Sequence, residues 1–267
     1  MTPNGQASHL APNPDYRLAC LELRGGNHLA TYAAELPGLT AWVSCTPKRP
    51  SCQGGDLYYL TACSHGSIAR AVIADVAGHG EVVSAAAVRL RDALRDYIDD
   101  WDQSQLIRRL SASFLPDKQG AKFATAFLAS LASESGDLLF TNAGHMPPLW
   151  YRAAEKEWSF LPDTAPQSDE VADLPLGLIV GTPYHQAGVA VQAGDLLILY
   201  TDGINEAENE AGEQLGLGRL LAMARTLPTE SATSAGEGLL AAVTRFRGNA
   251  PAGDDATVVA LMRKGAA

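Results

Sequence analysis

Basic side chains are scarce in this chain: 20 Lys and Arg stand against 30 Asp and Glu among 267 residues, a formal net charge of −10. Phosphate backbones and anionic bilayers are bound by basic patches, so neither nucleic acid nor a membrane surface is expected as the main partner. Long hydrophobic runs are missing too. The longest span about six residues, as around Leu196–Tyr200, against ~20 for a helix that crosses a bilayer. Cysteine is sparse. Cys20, Cys45, Cys52 and Cys63 form no Cys-x-x-Cys pair, which argues against a zinc site. The opening stretch MTPNGQASHLAPNPDY has neither a basic start nor an apolar core, so no secretory signal is read there. Reduced thiols in a cytoplasmic chain are the expectation.

What is present is a normal globular core, with 46% hydrophobic residues and no repeat. Leu18–Leu23, Leu39–Cys45, Leu57–Cys63 and Ile68–Ala74 are short, apolar and bounded by Gly, Pro or Ser, which predicts strands. From Val83 to Trp101 the period changes: Val83, Ala87, Leu90, Leu94, Tyr97 and Trp101 line one helical face. Ser104 is the predicted cap of a second helix that stops before Pro116. Phe123–Leu131, Asp137–Asn142 and Leu149–Arg152 read as a meander. Asp163–Asp173, acidic and between Pro162 and Pro175, reads as exposed and flexible. Gly188–Val191 and Asp195–Tyr200 read as a hairpin, followed by helices near Gly218–Thr226 and Thr233–Arg247 and a last strand at Thr257–Met262. Strict β-α-β alternation is absent, so the expected fold is α+β with mostly antiparallel sheets. The expected layout is a polar tail over residues 1–16 and a single domain over 17–267.

Four acidic positions share one context. Asp56 follows Gly54-Gly55 at a strand start. Asp75 ends Ala71-Val72-Ile73-Ala74, Asp202 ends Leu197–Thr201 before Gly203, and Asp254-Asp255 precedes Thr257-Val258-Val259. Carboxylates are the ligands that hard divalent cations prefer. Glycine lets a backbone carbonyl or amide come close, and clustered carboxylates repel unless a cation neutralises them. Asp-Gly pairs are also ordinary turn chemistry, and gaps of 19, 127 and 52 residues do not say whether the four meet. The residues alone therefore predict a candidate metal site without a reaction.

Seven strings, in order, resemble the SpoIIE-type serine/threonine phosphatases, a bacterial branch of the metal-dependent protein phosphatase 2C family. They are GGDLYYL (54–60), ADVAGHG (74–80), FATAFL (123–128), NAGHMPPL (142–149), LPLGL (174–178), GDLLILYTDGINEAEN (194–209) and GDDATVV (253–259). Their order and spacing fit over about residues 40–262. The resemblance implies two packed antiparallel β-sheets flanked by pairs of α-helices, and hydrolysis of phosphoserine or phosphothreonine by water activated at two Mn²⁺ or Mg²⁺ ions. It implies that Asp75 bridges both ions, with Asp202, Asp254 and the Val76 carbonyl as further ligands. It further implies that Asp56 contacts the second ion, directly or through water. Asp255 falls on a non-ligand position but stays a metal candidate, because a one-residue shift would exchange it with Asp254.

His79, four residues after Asp75, is either a general acid or a turn and helix-cap residue. Lys48 and Arg49 either steer phosphate or form a solvated loop. His145, Thr125 and Thr201 read as structural, and Glu206 as a loop residue behind the site. The resemblance also implies a phosphoprotein substrate, for example an anti-sigma-factor antagonist. About 40 residues precede the matched region, so the expectation is control by a separate regulatory protein or a constitutive enzyme. A catalytically weak pseudophosphatase that acts as a binding module is the alternative reading; retention of Asp56, Asp75, Asp202 and Asp254 argues against it.

Overall fold

The structure, a computed structural model, describes residues 16–17, 23–48, 50–63, 67–78, 81–96, 102–114, 123–162 and 171–265. Two sheets form the centre. One has the order β1 (Tyr16–Arg17), β3 (Ala30–Leu36), β4 (Leu39–Thr46), β13 (Ala256–Arg263), β12 (Leu196–Tyr200), β9 (Leu149–Arg152) and β10 (Glu157–Phe160). The other has the order β11 (Ala187–Ala190), β8 (Asp137–Ala143), β7 (Ala124–Ala132), β6 (Ile68–Val76), β5 (Gln53–Cys63) and β2 (Leu23–His28). Every pairing is antiparallel except the short parallel contact of β1 with β3.

Strand alternation divides the apolar residues into three layers. Tyr58 and Leu60, Ala71 and Ile73, and Phe127 and Ala129 face Val43, Leu197, Leu199, Val259 and Leu261 across the gap between the sheets. The opposite faces carry a second set. Leu57, Tyr59, Val72, Ala74 and Leu128 pack under α1 (Glu81–Asp96) and α2 (Gln103–Ser113), through Ala86, Ala87, Leu90, Leu94, Leu106 and Leu110. On the far side, Trp42, Leu196, Ile198, Tyr200 and Val258 pack under α4 (Gly216–Ala224) and α5 (Ala232–Arg247), through Leu220, Ala235, Leu239 and Val243. This is the expected sandwich of helices, two sheets and helices. A four-residue helix, α3 (Asp202–Asn205), follows β12 directly.

Several local expectations are corrected. Gly188–Val191 and Asp195–Tyr200 are not a hairpin: β11 pairs with β8 and β12 with β9 and β13, in different sheets. The buried carboxylate of Asp195 takes the amides of Ala153 (2.8 Å) and Gln192 (3.0 Å), which fixes the chain to the first sheet where β12 begins. The meander breaks after β8. A turn closed by Asn142 onto the backbone of His145, with Gly144 at φ 67, hands the chain to the other sheet. Helix α2 is capped by Asp102, whose carboxylate accepts the Gln105 amide at 3.1 Å; Ser104 donates to that same carboxylate. Strands β3 and β10 carry no strong sequence signal. Residues 18–22 of the first predicted strand, residues 97–101 of the first helix stripe and 163–170 lie outside the described residues. Asp173, at the end of the predicted flexible stretch, is pinned: its carboxylate accepts the His185 amide at 2.7 Å and pairs with the His185 ring at 2.9 Å.

Gly236 lets α5 lie directly on Trp42, since a Cβ there would overlap the indole ring. Gly236→Ala gains about 1 kcal/mol in helix propensity but overpacks this contact, at a cost of about 1–3 kcal/mol. A net loss of stability, read by urea denaturation, is the expected outcome.

Candidate metal centre

The register of the second sheet places Asp56 opposite Asp75, and Asp75 opposite Thr125, on β5, β6 and β7. Alternation sends all three side chains to the inner side: Asp56 is in step with Tyr58, Asp75 with Ile73, and Thr125 with Phe127. The first sheet answers with Cys45, Thr201 and Thr257, in step with Val43, Leu199 and Val259. The apolar filling between the sheets thus ends in a polar layer. Asp56 is 2% exposed, and its carboxylate accepts the Thr201 hydroxyl at 2.7 Å. That hydroxyl in turn accepts the Thr257 amide at 3.0 Å, so the two sheets are stitched at Asp56. The sequence treats Thr201 as a turn residue; the alternation Leu197, Leu199, Thr201 is the signal that places it inside.

Asp202 opens α3 immediately beyond Thr201, and Asp254-Asp255 lies just before β13. The charges of Asp202, Asp254, Asp255 and Glu206 all bear on Asp75. Burial and then these charges push the Asp75 carboxyl up to about 7. Burial, followed by Asp254 and Glu206, pushes Asp202 up to about 6. Asp56 is raised well above the carboxylate range, by burial first and by Asp75 second, against the hydrogen bond from Thr201. The sequence-distant carboxylates are therefore brought to one end of the sandwich, where they oppose one another's ionisation.

Asp254 and Asp255 are treated differently. One oxygen of Asp255 accepts the Lys48 amide and the other the Gly55 amide, both at 2.6 Å. Asp255 thereby ties the β4–β5 loop to the start of β13. Gly54 and Gly203 are both pressed against Asp255, where a Cβ would collide with its carboxylate or its carbonyl. Asp254 is exposed, and among the described residues its carboxylate accepts only the amide of Asp255, at 2.8 Å. Gly55 lies against Val76: a Cβ there would come within 2.9 Å of the Val76 carbonyl oxygen, which fixes that oxygen next to Asp75.

Among the described residues no three His, Cys, Asp or Glu side chains form a ready-made ion cage. The donor set nevertheless fits a hard divalent ion: carboxylates and one backbone carbonyl, all oxygen, with an excess of negative charge. His145 is buried and neutral. Its Nδ1 lies 2.8 Å from the Thr125 hydroxyl, and burial pushes its pKa down to about 4. Cys45 is a buried free thiol pushed up to about 12 by burial, and Cys52 is a free, exposed one. His79 and Arg49 lie outside the described residues; Lys48 is described and contributes its backbone amide. Glu206 is exposed behind α3, and its amide donates to the Asp202 carbonyl at 2.7 Å. No helix among the described residues is long and apolar enough to cross a membrane.

Residues 66–264 match the family model described as Stage II sporulation protein E (SpoIIE). Among curated proteins, the phosphoserine phosphatase RsbU of Bacillus subtilis (strain 168) is 25% identical over 142 residues, which is 52% of this chain and 40% of RsbU. Among solved structures, the RsbU and RsbW domains of Rv1364c from Mycobacterium tuberculosis align with a TM-score of 0.73 at 23% identity, over 87% of this chain and 62% of that one. The phosphatase domain and regulatory fragment of SpoIIE from Bacillus subtilis align with a TM-score of 0.70 at 21% identity, over 86% and 64%. The chain thus spans less than two thirds of each of these relatives, and the structural likeness is one of fold.

Carboxyls raised in the folded state bind protons on folding. Between the unfolded value near 4 and the folded value of about 7 for Asp75, stability therefore falls as pH rises. In EDTA the protein is expected to melt at a higher temperature at pH 5 than at pH 8, with the slope reduced in Asp75→Asn. Scanning calorimetry reads this, and a slope that is unchanged in the variant would contradict the assignment.

Proposed function

The chain belongs to the SpoIIE family, and from that premise we propose that it is a divalent-metal-dependent phosphoprotein phosphatase acting on phosphoserine or phosphothreonine. The observation that carries this reading is the meeting of Asp56, Asp75, Asp202 and Asp254 at one end of the sandwich, in an environment that raises the first three. Asp75, Asp202, Asp254 and the Val76 carbonyl would hold Mn²⁺ or Mg²⁺, with Asp56 behind Asp75. Such ions supply Lewis acidity and lower the pKa of water.

The protein's own groups set the stage for that chemistry. Thr201 holds Asp56 against the sheet interface, and Asp255 holds Gly55 and so the start of β5. Gly55 sets the position of the Val76 carbonyl, and His145 holds Thr125 beside Asp75. The ammonium of Lys48 and the imidazole of His79 are candidates for phosphate contact and for protonating the leaving oxygen. RsbU is itself named a phosphoserine phosphatase, which supports this bond class. An anti-sigma-factor antagonist as the substrate follows from the resemblance and is part of the proposal. The pseudophosphatase alternative gains no support from any residue at the site.

The test is hydrolysis of p-nitrophenyl phosphate and of a phosphoserine peptide with and without Mn²⁺. Turnover that needs the ion is expected, and no turnover by folded, Mn²⁺-supplied protein would overturn the reading. Thr201→Val, which acts through Asp56, should lower kcat/KM by about 10–100-fold. Asp75→Asn and Asp202→Asn should lower it further. Mn²⁺ titration should weaken more in Asp254→Ala than in Asp255→Asn; the reverse order would make Asp255 the ligand.

A further inference from the structure

Asp254, the candidate ligand nearest to solvent, stands at the end of an exposed run. Helix α5 ends at Arg247, residues 248–253 follow, and β13 begins at Ala256. From Gly248 to Asp254 every residue except Ala250 is exposed. Among the described residues, one side chain from outside this run bonds to residues 248–253, and it is that of Glu210. Its Oε1 accepts the Asn249 backbone amide at 2.9 Å and the Asn249 Nδ2 at 2.8 Å. A single charged oxygen thus fixes both the backbone and the side chain of the residue five positions before Asp254, through bonds of the stronger, charge-assisted kind.

Gly248 makes room for this grip. It stands at φ 61, and a Cβ there would come within 2.8 Å of Glu210 Oε1. A side chain at this position would strain the backbone and push the carboxylate away.

Glu210 is itself presented on a fixed arm. The arm follows α3, the helix that Asp202 opens. Asn209 Oδ1 accepts the amides of Ala211 and Glu213, at 2.9 and 3.0 Å. The Asn209 amide donates to the Glu213 carbonyl at 3.0 Å, and the Leu215 amide to the Ala207 carbonyl at 2.9 Å. These bonds close a tight hairpin with Glu210 at its tip, and Ala207 and Leu215 root it in the core under α4 and α5. One stretch of chain therefore carries Asp202 at its start and holds the loop of Asp254 at its tip.

We propose that Glu210 is a positioning residue for the metal centre: by gripping Asn249 it holds Asp254 in place relative to Asp202. The proposal rests on the reading of Asp254 as a ligand of the divalent ions. Its physical ground is the cost of order. Without the grip, an exposed run that includes Gly248 and Gly253 would have to be fixed by the ion itself, and that conformational entropy is subtracted from the affinity.

The test is calorimetric titration of the full chain with Mn²⁺. Glu210→Ala is expected to weaken binding by about 10-fold, the low end of what residues supporting a metal ligand contribute. Glu210→Gln keeps an oxygen for both Asn249 donors without the charge, and is expected to retain most of the affinity. In an Asp254→Ala background, Glu210→Ala is expected to weaken binding no further. Unchanged affinity in Glu210→Ala would overturn the proposal. So would a Glu210→Gln variant as weak as Glu210→Ala, which would make the effect one of charge, or an equal loss with and without Asp254, which would make it one of general stability. A wild-type chain that binds no Mn²⁺ would instead remove the metal-centre reading, and this proposal with it.

Discussion

Carboxylates set opposite one another on neighbouring strands repel, and this end of the molecule is organised around that repulsion. Asp56 and Asp75 are direct cross-strand partners with side chains on the inner face of their sheet. Burial removes the water that would screen them, and Asp202 and Asp254 add charge from the other sheet. A fold tolerates such a cluster only if the backbone around it is rigid and some compensating positive charge is available. The rigidity is visible in Thr201 bonded to Asp56, in Asp255 taking two amides, and in glycines where a Cβ would collide with the Asp255 backbone or with Val76. The compensating charge is what a divalent ion would bring.

The adjacent acids Asp254 and Asp255 divide their work along the chain. Asp255 turns inward onto amides some 200 residues away in sequence and joins the two sheets' contributions into one unit. Asp254 stays exposed, with its neighbour's amide as its hydrogen-bond partner among the described residues. That separation argues for Asp254 as the ligand and for Asp255 as the residue that keeps Gly55 and Asp56 in place.

Much of this was legible before the structure. Period-two and period-3.6 patterns locate the helices and most strands, and the strand-end carboxylates beside glycine mark the candidate site. The pairing of strands was less legible, because alternation is a local signal and the choice of partner strand is not. Gln192-Ala193-Gly194 looks like a tight turn, yet Asp195 diverts the chain to the other sheet. Ala30–Leu36 is rich in alanine, a weak strand former, and forms a strand because β4 offers it a ladder. The roles of Thr201 and Asp255 depend on contacts across 145 to 207 residues, which no local pattern records.

The central claim is that these carboxylates share divalent ions. Anomalous scattering from crystals grown with Mn²⁺ tests it most directly. The account predicts manganese peaks among Asp75, Asp202, Asp254 and the Val76 carbonyl, with Asp255 still on the amides of Lys48 and Gly55. Ordered carboxylates with no manganese between them at saturating Mn²⁺, or manganese bound at another place in the fold, would contradict it.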